Sequence, residues 1–375
     1  MSGLGYTFKG GWLTRRRLLQ GTAGLAGAAA MGLPAFEGRA ADKPQTANSL
    51  RSLTNPYHAS FAKGGELFAK SVDAPYEVLV TEGNSEKGIA DVRALLARTG
   101  GNLALCIDPN DSPDARVIVE ECAKAGATVV TIWNKPADLH PWDFNPNYVA
   151  HISFDGVQYG KIMAETIFPL VPKGNYAIIK GNQADANADF LRAGMEEVIG
   201  DAVKAGDIVI PEGCEQYTDN WDPANAQTNM ENCLTATNND IQAVLAENDG
   251  MAGGVIAALG AQGMAGTIPV SGQDGDQGAL NRVALGTQTV SVWKDARVLG
   301  KAAGEAAMAL AKDPNLANLA GTAPFEREGK DTLTSIILAP TPVTQENLQV
   351  VVDAGVIDQA TLCQGVTAGS VAACP

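Results

Sequence analysis

After Thr46 the chain alternates short apolar runs with amphipathic helical stretches almost without a break, and this alternation constrains its fold more than any other feature. Residues 76–81 lead into a helical pattern at 86–98, residues 103–107 into one at 115–125, and residues 128–133 into a long polar loop. The runs at 176–179, 208–210, 243–246, 268–271 and 289–293 continue the series. Short apolar strands separated by helices imply parallel sheets covered on both faces, an α/β class. At 375 residues the chain has room for two such domains, each with its own core.

In open parallel sheets, ligands sit beyond the carboxyl ends of the strands. Polar residues gather there in this sequence: Trp221-Asp222-Pro223, Glu247-Asn248-Asp249-Gly250, Gln273-Asp274-Gly275-Asp276 and Trp293-Lys294-Asp295. An indole offers a flat face to the C–H side of a sugar ring, and amide, carboxylate and ammonium groups exchange directional hydrogen bonds with hydroxyls. The pattern points to carbohydrate binding.

Together with Val171-Pro172-Lys173-Gly174-Asn175-Tyr176 and Asp185-Ala186-Asn187-Ala188, these motifs resemble the periplasmic sugar-binding proteins of ABC importers, in particular the xylose-binding branch of the type I family. The similarity is close over residues 152–301, densest over 232–298, loose before 152 and weak near the C-terminus. It implies two doubly wound parallel-sheet lobes joined by a three-strand hinge, with crossings near Asp155, Lys294 and Asp331. The lobes would be 45–156 plus 295–331 and 157–294 plus 332–375. Three strands across one waist permit bending while limiting twist.

The resemblance makes Asp185, Asn187, Trp221, Asn248, Asp274 and Lys294 ligand-binding residues. Bland roles compete at each: Trp221 packed over a helix that Asp222 caps and Pro223 starts, Asn248 in a turn, Asp274 capping a helix near Gly278, Lys294 solvated. Asp249 is expected to support the next helix. In the first lobe the chain departs from the xylose-binding pattern, with Trp133-Asn134-Lys135 where that branch carries an Asp-Arg pair. Asn55-Pro56-Tyr57-His58 is closer to ribose-type proteins, so Asn55, Tyr57, Asn134 and Lys135 become the first-lobe candidates, and D-xylose itself is not assigned. His58 equally suits an exposed helix start.

Asp185, Asn187 and Asp189, with Glu196 twelfth in the count, mimic a calcium loop, but Phe190 stands where that loop requires Gly. Apolar residues at helical spacing from Phe190 to Ile199 favour a helix beginning near Asn187 instead. Neither a metal nor a cofactor is expected.

Thr14-Arg15-Arg16-Arg17-Leu18-Leu19 followed by a Gly/Ala-rich apolar run resembles a twin-arginine export signal, and Gly38-Arg39-Ala40 suits cleavage after Ala40. Residues 1–40 are therefore read as a signal peptide and the protein as periplasmic, with an uncleaved anchor as the alternative. In an oxidising compartment the six cysteines invite three sequence-local disulfides, Cys106 with Cys122, Cys214 with Cys233 and Cys363 with Cys374. Free buried thiols are the other reading.

A formal charge of −15 argues against a nucleic-acid partner. No Gly-x-Ser-x-Gly elbow, phosphate loop or His-Glu-x-x-His occurs, and only three histidines are present, so an enzyme is disfavoured. The expected function is capture of a monosaccharide, a pentose or small polyol, by a monomer that delivers it to an ABC permease. A sugar sensor for a chemoreceptor or histidine kinase, or an exported sugar-acting enzyme, is the alternative.

Overall fold

The computed structural model of the chain describes residues 43–312 (137 and 145 excepted), 322–327, 330–336 and 340–375. The export-type segment and Ala40 lie outside the described residues. Five parallel strands, β1 (Gln45–Leu50), β2 (Tyr76–Val80), β3 (Leu103–Ile107), β4 (Thr128–Ile132) and β5 (Tyr148–Ile152), form the first sheet in the order β2-β1-β3-β4-β5. Helices α1 (Pro56–Ser71), α2 (Ser85–Thr99) and α3 (Asp114–Ala125) connect the first four of them. Every residue of β3 and β4 is buried, as covering both faces requires.

Beyond α4 (Gly156–Ile167) the chain builds a second sheet. Its central strand β6 (Gly174–Lys180) is followed by α5 (Ala186–Ala205), and β7 (Ile208–Val209) and β8 (Glu215–Tyr217) share one edge of β6. After α6 (Pro223–Thr237), β9 (Ala243–Ala246) pairs with the other edge of β6. A bridge between Val244 and Val270, following α7 (Asp249–Ala261), continues the sheet to β10 (Gln273–Asp274). Then α8 (Gln277–Leu285) leads to β11 (Ser291–Trp293), parallel to β10. Counting β7 and β8 as one interrupted edge strand, the order (β7/β8)-β6-β9-β10-β11 repeats that of the first sheet, and both are doubly wound.

The chain returns to the first sheet through α9 (Ala296–Lys312), which packs along α1 and against β3, β4 and β5. An antiparallel hairpin of β12 (Thr322–Arg327) and β13 (Lys330–Ile336) follows, and β14 (Thr341–Val343) rejoins the second sheet antiparallel to β11. Val343, Leu348, Val351 and Leu362 of the C-terminal segment pack with Leu280 and Val283 of α8.

Two of the three expected disulfides form, Cys214–Cys233 and Cys363–Cys374. The third does not: Cys106 and Cys122 are separate, buried thiols. Alternation along β3 explains the correction. Cys106 packs with Phe61, Val130 and Leu299 on the face that α1 and α9 cover, while Leu105 and Ile107 point the other way and meet Cys122 of α3. Adjacent positions on a strand face opposite sides, and α3 covers the side Cys106 does not reach. Burial also suppresses ionisation, pushing the Cys122 thiol up to about 12.

Candidate functional site

The carboxyl ends of the strands of both sheets converge on a cavity of about 770 Å³. Arg51, Asn55, Tyr57 and His58 reach it from beyond β1, Asn110 from beyond β3, Trp133 from beyond β4 and Phe154 from beyond β5. From the second sheet come Asp185 and Asn187 after β6, Trp221 after β8, Asn248 after β9, Gln273 and Asp274 of β10, and Lys294 after β11. Of the ten expected ligand residues, eight line this cavity. Asn134 and Lys135 do not: Asn134 is fully buried and accepts from Ser112 Oγ, and Lys135 Nζ donates to the Pro136 carbonyl. Trp133 has φ of 56°, and this left-handed turn leaves the indole, not the following amide, on the cavity wall.

Lys294 and Asp274 form the electrostatic centre of the second wall. Nζ lies 3.0 Å from Asp274 Oδ1 and 3.3 Å from Gln273 Oε1, and 3.5 Å above the Phe154 ring. The pair is 4% and 8% exposed, so removing either member leaves an uncompensated buried charge. Burial lowers the Lys294 pKa, with Asp274 opposing, and raises that of Asp274, with Lys294 opposing. Asp274 does not cap α8, whose N-cap is Asp276. Its φ of 116° is a strained conformation for a side chain with Cβ. Five of the eight non-glycine residues with positive φ line the cavity (Glu82, Trp133, Asn220, Trp221 and Asp274), so backbone strain among the described residues concentrates there.

Behind this pair, buried Asp249 accepts from Ser291 Oγ at 2.6 Å, Gln288 Nε2 at 2.7 Å and the backbone of Gly275 and Asp276 at 3.0 Å. It therefore ties the β10–α8 turn to β11, a supporting role. Asn248 caps α7 through Oδ1, which accepts from Met251 N, and Nδ2 stays available to the cavity. Trp221 sits between the cap residue Asp222, which accepts from Ala224 N and Asn225 N, and Gly181, where a Cβ would lie 2.2 Å from the indole ring. Only glycine lets the strand end lie so close under the ring.

The first wall contains groups that the sequence reading passed over. Arg51 Nε donates to Asp108 Oδ2 at 2.7 Å and Nη1 to Asp185 Oδ2 at 2.6 Å. Burial works against this guanidinium, but the two carboxylates outweigh it and hold the pKa above its usual value. Burial pushes Asp108 up to about 7, with Arg51 opposing. His58 is buried, not an exposed helix start. Its Nδ1 lies 3.1 Å from the Ser52 carbonyl and its Nε2 3.4 Å from Asp108 Oδ2. Desolvation, then the charge of Arg51, lowers its pKa to about 3. Tyr57, His58 and Phe61 pack around Trp133 at ring separations of 5.0 to 5.5 Å. Tyr57 Oη, Asp108 Oδ1 and Trp133 Nε1 are buried without a hydrogen-bond partner among the described residues.

Residues 47–315 match the profile of the periplasmic binding protein domain family. The chain is 36% identical over 242 residues to the D-xylose-binding periplasmic protein of Escherichia coli (strain K12), covering 64% of this chain and 70% of that protein. Identity to the D-xylose-binding periplasmic protein of Haemophilus influenzae is 30% over 280 residues, 75% of this chain and 80% of that one. The fold superimposes on the crystal structure of a twin-arginine translocation pathway signal protein from Burkholderia phytofirmans with a TM-score of 0.74 and 42% identity, over 84% of this chain and 93% of that one.

Proposed function

The chain belongs to the periplasmic binding protein family, and from that membership we propose that it captures a monosaccharide, a pentose or small polyol, in the cleft between its two sheets and delivers it to an ABC permease. The observation that carries the reading is the buried Asp274–Lys294 pair on the wall of a cavity that Trp221 also lines. A carboxylate with lone pairs beyond its one ion-pair contact accepts sugar hydroxyls in charge-assisted bonds, and the indole supplies an apolar face for the ring. Asn248 Nδ2, Tyr57 Oη and Asn55 add polar groups around it. Deep burial of the charged pair makes each such bond stronger than it would be at a surface.

Three passages of the chain between the sheets, near Asp155, near Lys294 and near Asp331, form the hinge of this reading, with lobes at 45–156 plus 295–331 and 157–294 plus 332–375. Ligand would favour the closed form by completing the hydrogen-bond shell from both walls. This chain has Trp133-Asn134-Lys135 where the xylose-binding branch has an Asp-Arg pair, so the choice among pentoses and polyols differs from that branch.

Thermal unfolding of the protein against pentoses, hexoses, polyols and sugar acids tests this. A ligand at 100 times its dissociation constant adds about 2.7 kcal/mol, a shift of several degrees in the midpoint. A flat response across the whole panel would falsify carbohydrate capture.

A further inference from the structure

Asp185 is saturated by the protein. Its Oδ1 accepts from the backbone N and from Nδ2 of Asn187, both at 2.9 Å. Its Oδ2 accepts from Arg51 Nη1 at 2.6 Å and from Trp221 Nε1 at 3.1 Å. A carboxylate has about four lone-pair sites, and four donors fill them, so no site is left for a ligand hydroxyl. The side chain is also fully buried.

Arg51 is in the opposite condition. Of its five N–H donors, Nε serves Asp108 and Nη1 serves Asp185, while Nη2 donates to nothing among the described residues. The side chain lines the cavity and is 14% exposed. Its position is doubly fixed, from the first sheet by Asp108 and from the cap of α5 by Asp185. An unpaired, pre-oriented pair of N–H donors facing a cavity is a recognition element for oxygen acceptors.

We infer that Arg51 contacts the bound sugar through Nη2, and that Asp185 is a positioning residue that aims Arg51 and Trp221 rather than touching the sugar. This rests on the sugar-binding reading above and assigns the first wall its hydroxyl-reading group. The same geometry favours a neutral ligand. Arg51 already faces two carboxylates at 2.6 and 2.7 Å, and Asp274 and Asp276 line the same cavity. A sugar acid would bring one more negative charge among them, whereas hydroxyl oxygens accept from Nη2 without it.

The test is isothermal titration of the full chain and its variants with D-xylose, D-ribose, L-arabinose and myo-inositol, and with D-glucuronate and D-galacturonate as acids. For the neutral probe that binds best, Arg51→Met is expected to weaken binding about 30-fold, the size of a lost charge-assisted hydrogen bond. Arg51→Lys, which keeps the charge for Asp108 and Asp185 but lacks the second fork, should weaken it about 10-fold and guards against misfolding of the first variant. Asp185→Asn should weaken binding too, yet add less than about threefold on top of Arg51→Met combined with Trp221→Phe, because a residue acting through those two is not additive with them. In the ligand-free protein Asp185→Asn should also shift the indole emission, and should not do so when Trp221 is replaced by Phe.

Fully multiplying losses would mean that Asp185 touches the sugar and overturn the division of roles. Binding by Arg51→Met within threefold of the parent would overturn the role of Arg51 alone, leaving sugar capture intact. A uronate binding as tightly as the best neutral probe would overturn the charge argument. No response to any probe by the parent protein would overturn the sugar-binding reading itself, and this inference with it.

Discussion

The two walls of the cleft solve the burial of polar groups differently. On the second wall the central charged and amide side chains have protein partners: Asp274 with Lys294, Asp249 with four donors, Asn248 with the cap of α7. On the first wall Tyr57 Oη and Trp133 Nε1, and behind them Asp108 Oδ1, are buried without partners among the described residues, and Arg51 keeps donors in reserve. Leaving a buried polar group unpaired costs about 1–3 kcal/mol, so such groups persist where a ligand completes them. One wall is anchored mainly by its own ion pair and caps, and the other leaves more of its polar atoms to whatever binds.

The largest expected effect strikes the anchor. Asp274→Ala leaves Lys294 buried and unpaired, and should cost about 3–5 kcal/mol in stability and abolish any sugar-induced rise in the unfolding midpoint. A variant that keeps a normal sugar response would move the anchor elsewhere. Next come the cysteines, which also divide between the sheets. Replacing Cys214 and Cys233 by Ser should destabilise by about 3 kcal/mol, the value for a loop of this length. Thiol titration of the denatured, unreduced protein should count the two groups of Cys106 and Cys122, and a count of zero would restore the third bridge.

Smaller but more local is Gly181→Ala, whose Cβ would meet the Trp221 ring. Displacing the indole should cost about 1–3 kcal/mol, read as weaker sugar binding in calorimetry; unchanged binding would remove Trp221 from the anchor. The finest probe is on the first wall. His58 has a folded pKa of about 3 against an ordinary value of 6.5, so between these values the unfolded chain takes up a proton that the folded chain refuses. Its contribution to stability is complete above pH 6.5 and is lost as pH falls toward 3, at about 1.4 kcal/mol per pH unit. Denaturant titrations from pH 6.5 to 4 should therefore show His58→Asn with a shallower pH slope than the parent, and parallel slopes would place a charged imidazole in the folded wall.

The contrast between walls also explains what could be read in the sequence. Strand β9 is apolar throughout, and short, mainly apolar runs at 268–271 and 289–293 precede the other two, so Asn248, Asp274 and Lys294 stand out as polar residues at strand ends. In β1, Thr46, Asn48 and Ser49 are all buried, and Asn48 Nδ2 donates to Tyr76 Oη. A buried strand with three polar residues has no apolar signature, so its end, and with it Arg51, passed unnoticed. Asp108 follows the wholly apolar β3 and was available to the same strand-end rule. Asn134 shows the opposite failure: it occupies a strand end, but the left-handed turn at Trp133 rotates it off the wall, and no residue pattern announces that turn.

Five residues on the cavity wall, Asn55, Asp185, Asp222, Asn248 and Asp276, are also the N-caps of α1, α5, α6, α7 and α8. Five helices therefore aim their positive ends at one small volume, and each macrodipole is equivalent to about half an elementary charge there. Added to Arg51 and Lys294, that field nearly matches the five carboxylates on the wall, Glu82, Asp185, Asp222, Asp274 and Asp276. The cavity is densely charged yet close to electroneutral, a solvent-like interior built from fixed dipoles. A guest without charge enters it without disturbing the balance, and the reorganisation that water would undergo around its hydroxyls has already been done by the fold.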